Sequence, residues 1–210
     1  MPLVRKRWRQ VHGKFPDQSD VDAMYRDFVP MQMNVLAQYS DLIPGCAQAT
    51  KLLKQELHCK IGVTTGFCRS MVDVILPLAK KQGFEPDADV TGDEVMHGVR
   101  PKPFMLYRNL DLLDVSDIQS VVKVDDTVVG IGEALSAGCW SVGVARFSNY
   151  MDIDSLDAES KLEGEELLRR LNHSRATLLE AGAHYVVDSV ADLPEVITDI
   201  NQRLARGEKL

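Results

Sequence analysis

The feature that most constrains this fold is Val121-Val122-Lys123-Val124-Asp125-Asp126-Thr127, a β-branched run that stops at two adjacent carboxylates. Such a run favours a strand covered on both faces, as in a parallel sheet, and acids just past the carboxyl end of a parallel strand face the crevice where ligands bind. A hard cation such as Mg2+ takes oxygen ligands and keeps waters, so one or two carboxylates there can hold it. The competing reading is local, with Asp126-Thr127 capping a helix that begins near Val128.

The flanking sequence repeats this strand-then-helix pattern. Ala47 to Leu57 reads as a helix, Lys60 to Val63 as a strand ending in Thr64-Thr65-Gly66, and Arg69 to Gln82 as a helix stopped by Gly83. A strand follows near Ala88 to Val90. Pro103 is placed in the first turn of a helix running through Leu113. After the run ending at Asp126 come a helix to about Ala137, a strand from Ser141 to Ala145, and a short strand from His184 to Val187. Alternating strands and helices predict an α/β, doubly wound parallel sheet.

Residues 1–40 differ in character, being helical throughout, with Ser19 or Asp20 as the N-cap before Val21. The stretch from Arg146 to Glu166 reads as a surface excursion. Leu167, Leu168, Leu171, Leu178 and Leu179 are expected to share one apolar helix face, and Asp192 to cap a terminal helix.

A net charge of -7 and a pI near 5.2 argue against a broad nucleic-acid footprint, and Arg5-Lys6-Arg7-Trp8-Arg9 is read as an exposed helix face. No apolar run is long enough to span a bilayer and no signal-peptide pattern opens the chain, so a cytoplasmic location is expected. Cys46, Cys59, Cys68 and Cys139 lack metal-ligand or disulfide spacing and are expected as reduced thiols. His184 is read as a packed structural residue, and the other four histidines are given no role.

Three loops at one sheet edge then carry Thr64-Thr65-Gly66, Arg100 and Asp125-Asp126, which together outline a phosphoryl site. The Thr65 hydroxyl and the amides near Gly66 can donate to phosphoryl oxygens, while the planar fork of Arg100 can grip two of them. Asp126 would hold the cation that offsets the remaining charge. Each piece also has an ordinary reading as a turn, a surface arginine or a cap.

At this level of detail the chain resembles the phosphonoacetaldehyde hydrolase family of the haloacid dehalogenase superfamily. The resemblance rests on Ile61-Gly62-Val63-Thr64-Thr65-Gly66-Phe67, Arg100-Pro101-Lys102-Pro103, Lys123-Val124-Asp125-Asp126-Thr127, Ala137-Gly138-Cys139-Trp140-Ser141-Val142-Gly143-Val144 and Ala181-Gly182-Ala183-His184-Tyr185. It implies a phosphate-binding Thr65, a cationic Arg100, and a magnesium-binding Asp126 with Asp125 beside it. It also implies residues 1–40 as part of a helical cap that mediates homodimer formation, and 41–210 as the haloacid dehalogenase-like core. The implied substrate is a small-molecule phosphonate, whose carbon-phosphorus bond is hydrolysed to acetaldehyde and phosphate through an aspartate nucleophile and a Schiff-base lysine.

Neither of those two groups has a match in this sequence. Lys6 and Lys14 lie outside the family's lysine motif, and Asp41-Leu42-Ile43-Pro44 precedes a helix. The family's central first strand also lacks a counterpart, which predicts that the strands ending at Thr64 and Asp125 are either separated or paired directly, with unpaired buried groups costing about 1 to 3 kcal/mol each. Departures from the family pattern are Phe67 in place of a tyrosine, one added residue at Val99, and Gly130 in place of a second acid for which Asp125 compensates. The rival expectations are another capped phosphatase or mutase of the superfamily, and a non-catalytic protein that binds phosphate or a partner through Trp8, Tyr25, Phe28, Met31 and Met33.

Overall fold

A computed structural model describes residues 2–153 and 155–210. The chain divides into two compact units, Met1–Ser40 and Asp41–Leu210. The first unit carries α1 (Pro2–His12) and α2 (Gln18–Val35). α2 is capped by Asp17 rather than by Ser19 or Asp20, because Asp20 sits at the third helical position and completes a reciprocal capping box with the Asp17 backbone.

The second unit contains, in chain order, α3 (Cys46–Gln55), β1 (Gly62–Thr65), α4 (Arg69–Lys81), β2 (Ala88–Thr91), α5 (Phe104–Leu112), β3 (Val122–Asp125), α6 (Val128–Ala137), β4 (Trp140–Val144), α7 (Leu156–Ser160), α8 (Gly164–Glu180), β5 (Tyr185–Val187) and α9 (Leu193–Ala205). All strand pairs are parallel, and they form two sheets, β1-β2 and β3-β4-β5. Strand periodicity puts Val122, Trp140, Val142 and Tyr185 on one face against Leu53, Leu193, Ile197 and Ile200 of α3 and α9. The opposite face meets α5, α6 and α8 through Leu106, Ala134, Ile131 and Leu178. Helices therefore cover both faces, as expected for a doubly wound core. Among the described residues no helix is long and apolar enough to cross a membrane.

β1 and β3 are not paired with each other, and the described part of the first unit is free of strands. Of the two outcomes foreseen for the missing central strand, direct pairing does not occur. The Ala88 amide donates to the Ile61 carbonyl, so by strand alternation the backbone of Gly62 and Thr64 faces away from β2. Likewise the Trp140 amide donates to the Val121 carbonyl, which turns Val122 and Val124 away from β4.

Several local expectations shift. β1 starts at Gly62 instead of Lys60 because the Ile61 amide donates to the Asp87 carboxylate at 2.8 Å. Pro103 is the residue before α5 and not its first turn, with ψ at 17° outside the helical range. On α8 the buried face is Leu171, Ser174 and Leu178, whereas Leu168 and Leu179 are exposed, since those two lie about 100° around the helix from the residues they follow or precede. The segment after Arg146 is less superficial than its polarity suggests, because Ser148, Met151 and Glu159 are buried and Glu159 pairs with Arg146 at 2.6 Å. Asp192 precedes α9 but its carboxylate accepts from the Ser189 amide at 3.0 Å, closing the preceding turn instead of capping the helix.

The four cysteines are free thiols, Cys139 being buried. His184 is structural in its contacts: Nδ1 accepts from the Ser141 amide at 3.0 Å and the ring packs edge-on against Trp140.

Candidate active site at the carboxyl ends of β1 and β3

Lys123 and Asp125 share one face of β3 by strand alternation, the face covered by α6. That geometry brings the three loops together. Asp125 Oδ2 accepts from Arg100 Nη1 and from Lys123 Nζ, each at 3.1 Å. Asp125 Oδ1 accepts from the Thr127 amide at 3.0 Å and its hydroxyl at 2.7 Å. Arg100 Nη2 donates at 2.9 Å to the Thr64 carbonyl, which faces away from β2, and Lys123 Nζ donates at 2.9 Å to the Thr64 hydroxyl. Side chains from β3 and from the loop before α5 thus take up polar groups on the unpaired side of β1. Asn109 of α5 donates from Nδ2 to the Val63 carbonyl at 2.6 Å, which by the same alternation lies on the side facing β2.

The added residue at Val99 does not keep Arg100 from this cluster. Gly130 explains how Asp125 fits: a Cβ at position 130 would lie 1.8 Å from the Asp125 carboxyl carbon, so the Asp125 carboxylate occupies the space that any larger residue would need. The Asp125 carboxylate therefore fills the space beside position 130. Thr127 also caps α6, its hydroxyl accepting from the Gly130 amide at 3.1 Å, so the capping reading and the site reading hold together.

Thr65 ends β1, its hydroxyl accepting from the Phe67 amide at 3.1 Å. Beside Gly66 there is open space, with no atom within 4 Å of where a Cβ would stand. Asp126 is half-buried, and its carbonyl accepts from the Ser148 hydroxyl at 2.6 Å. Its carboxylate forms no ion pair among the described residues.

The two neighbouring acids differ electrostatically. Burial pushes Asp125 up, but the charges of Lys123 and Arg100 and the bonds from Thr127 and Lys123 outweigh it, leaving Asp125 below its ordinary value of 3.8. Asp126 is held above 3.8 by burial and by the adjacent Asp125 charge. Asp125 is therefore a satisfied counter-ion, whereas Asp126 is an acid in need of positive charge.

Two participants were missed in the sequence. Lys123 was quoted only as part of a motif, and Glu133 not at all. Both had a signal, a lysine within a β-branched strand and the single charged residue in the apolar helix Val128–Ala137. Glu133 is fully buried, 3.5 Å from both Arg100 Nε and Lys123 Nζ.

Among the described residues no cluster of three or more histidine, cysteine or acidic side chains is arranged to hold a metal. A cavity of about 380 Å³ lies apart from the predicted site residues, lined by Tyr150, Asp152, Arg169, Arg170 and His173 among others.

No family model matches the chain. Among curated proteins it is 43% identical over 209 residues to the phosphonoacetaldehyde hydrolase of Paraburkholderia xenovorans, covering 100% of this chain and 77% of that protein. A phosphonoacetaldehyde hydrolase of Syntrophobacter fumaroxidans is 38% identical over 208 residues, covering 99% of this chain and 74% of the relative. Among solved structures, a phosphonoacetaldehyde hydrolase-like protein from Oleispira antarctica matches with a TM-score of 0.89 at 38% identity, covering 100% of this chain and 75% of that one. On these likenesses, together with the motifs gathered at the ends of β1 and β3, the chain belongs to the phosphonoacetaldehyde hydrolase family, built on a haloacid dehalogenase-like core.

Proposed function

We propose that this chain carries the phosphoryl-handling half of a phosphonoacetaldehyde hydrolase, an enzyme that cleaves the carbon-phosphorus bond of phosphonoacetaldehyde to acetaldehyde and phosphate. The observation that carries this reading is that Arg100 bridges Thr64 at the end of β1 and Asp125 at the end of β3, the chain neighbours of Thr65 and Asp126, in a member of that family. In this reading the Thr65 hydroxyl, whose oxygen accepts from the Phe67 amide and whose proton is left to donate, and the amide at Gly66 bind phosphoryl oxygens, using the open space beside Gly66. Arg100 spends one N–H of each Nη on Asp125 and Thr64 and keeps the other two for the phosphoryl group. That places preorganised positive charge where negative charge gathers on the transferred group.

Asp126 fits Mg2+, because a carboxylate whose ionisation is disfavoured by burial and by its neighbour's charge gains most from a hard cation. The metal when bound would supply Lewis-acid stabilisation of the phosphoryl oxygens. Asp125, with four donors already on it, fixes Arg100 and Lys123.

Residues 1–40 form the partial cap in this proposal, and a homodimer through them is supported by the exposed Tyr25, Phe28 and Met31 of α2. A cytoplasmic setting suits a soluble phosphonate and the free thiols.

The test is calorimetric binding of phosphonoacetaldehyde in the presence of Mg2+, with little or no acetaldehyde released, since the sequence has no match to the family's aspartate nucleophile or Schiff-base lysine. Binding of phosphate monoesters with none of the phosphonate would replace this reading with the capped phosphatase.

A further inference from the structure

We propose that Glu133 is a positioning residue, which sets the plane of the Arg100 guanidinium for an oxyanion bound at the ends of β1 and β3. The inference rests on the phosphoryl-site reading above and names a residue which that reading does not need.

Three polar atoms are stranded together. Both carboxylate oxygens of Glu133 and Nε of Arg100 are buried without a hydrogen-bond partner. A fully buried carboxylate without hydrogen bonds is costly unless a charge opposes it. Glu133 Oε2 faces two cations, Arg100 Nε and Lys123 Nζ, each at 3.5 Å, just beyond the usual hydrogen-bond range. Asp125 opposes the same two cations, so the set Arg100, Lys123, Asp125 and Glu133 is neutral without a ligand.

The close approach is built into α6. Gly132 lets the helix come near Pro101, where a Cβ at position 132 would meet the Pro101 Cβ at 3.1 Å, and this puts the next residue, Glu133, beside the Arg100 side chain. The division of labour on Arg100 follows from its five N–H groups. Asp125 and Thr64 take one from each Nη, the remaining two Nη hydrogens are free for an oxyanion, and Nε–H is left for Glu133. A planar fork steadied at Nε as well as at both Nη keeps its free hydrogens in one orientation.

The sign of one substitution separates positioning from simple charge balance. Removing the negative charge with Glu133→Gln makes the site more positive, so a mere counter-charge predicts tighter binding of an anion. Positioning predicts weaker binding. The experiment is calorimetric titration of inorganic phosphate, in the presence of Mg2+, into the full chain and its variants, with melting curves recorded in parallel.

Phosphate binding by the wild-type chain is the first readout, and its absence would overturn the phosphoryl-site reading and this inference with it. Given binding, we expect Glu133→Gln to weaken it about tenfold, the size of one charge-assisted contact. Unchanged or tighter binding would overturn the inference alone. In an Arg100→Lys background, which has no Nε, Glu133→Gln is expected to have no further effect on affinity, whereas an additive loss would contradict action through Arg100. Should Glu133→Gln not fold, Glu133→Asp keeps the charge but shortens the reach, and wild-type affinity in that variant would equally contradict positioning.

Discussion

β4 and β1 belong to the same core but are held in place by different forces. β4 is buried at all five residues and carries a backbone ladder on both sides. β1 has a ladder on one side only, and on the other its Thr64 carbonyl and hydroxyl are taken up by Arg100 and Lys123. Cohesion around β4 is mainly apolar and backbone in origin, and its titrating contact is His184, held below its ordinary 6.5 by burial, so it weakens only as pH falls below that value. Cohesion across the space between β1 and β3 depends on two cations and two carboxylates, so it responds to pH, to charge substitutions and to anionic ligands. The candidate chemistry lies in the second region.

The largest effect is expected at Trp140. This residue is 1% exposed, donates from Nε1 to the Gln119 carbonyl at 3.0 Å, and lies under the Arg203 guanidinium at 4.6 Å. Trp140→Ala is expected to cost about 4 kcal/mol in urea unfolding. It should relax the pH dependence near 6.5, because His184 packs on Trp140, and leave that below pH 4.5 unchanged. A changed profile below pH 4.5 would mean that the two regions are not separate.

Asp125→Asn comes next, at about 3 kcal/mol, because it leaves Arg100 and Lys123 with one anion fewer. Its cost should fall below 1 kcal/mol when Lys123→Met is added, since each removes one charge of the same set. Purely additive losses from those two changes would argue against a coupled charge network.

Gly130→Ala is expected to cost about 2 kcal/mol, because the new methyl occupies the position of the Asp125 carboxyl carbon. The matched change Gly66→Ala meets open space and should stay within about 0.5 kcal/mol. Equal effects at the two glycines in thermal unfolding would remove the argument that Asp125 fills the space beside position 130.

The smallest effect is in acid. Asp125 lies below 3.8 in the folded state, so its contribution is fully present above 3.8 and is lost as pH falls through its folded value. Asp126 and Glu133 are shifted the other way, mainly by burial, so they cost stability at neutral pH, and that cost is relieved as pH falls toward their ordinary values of 3.8 and 4.5. This relief opposes the loss from His184, which is held below its ordinary 6.5 by burial, so urea midpoints should change little between pH 7 and about 4.5 and drop below 3.8. The drop should be shallower in Asp125→Asn. A fall between pH 7 and 4.5 as steep in the wild type as in Glu133→Gln would contradict the assignment of the raised pair.

Much of the second unit was legible in the sequence because its signals are local. β-Branched runs gave β3 and β4, Gly138 with φ of 76° closed α6, and strand-to-helix alternation gave the layering. The residues misplaced by sequence reasoning are those settled by a tertiary contact or by competition within a turn. The Asp87 carboxylate takes the Ile61 amide and delays β1, and Asp192 is drawn back to Ser189. The candidate site was legible as a set of strand ends, since Thr65 closes β1 while Arg100 and Asp126 lie in the loops that follow β2 and β3. Lys123 and Glu133 were not, because a charge inside an element gains meaning only when its partner across space is known.

The most direct test of the central claim is backbone amide NMR of the native chain titrated with inorganic phosphate in the presence of Mg2+. The account predicts the largest saturable shifts at Thr65, Gly66, Phe67, Asp126 and Thr127, at the ends of β1 and β3. Shifts confined to Tyr150, Asp152, Arg169, Arg170 and His173 would place the anion in the other cavity and contradict the assignment.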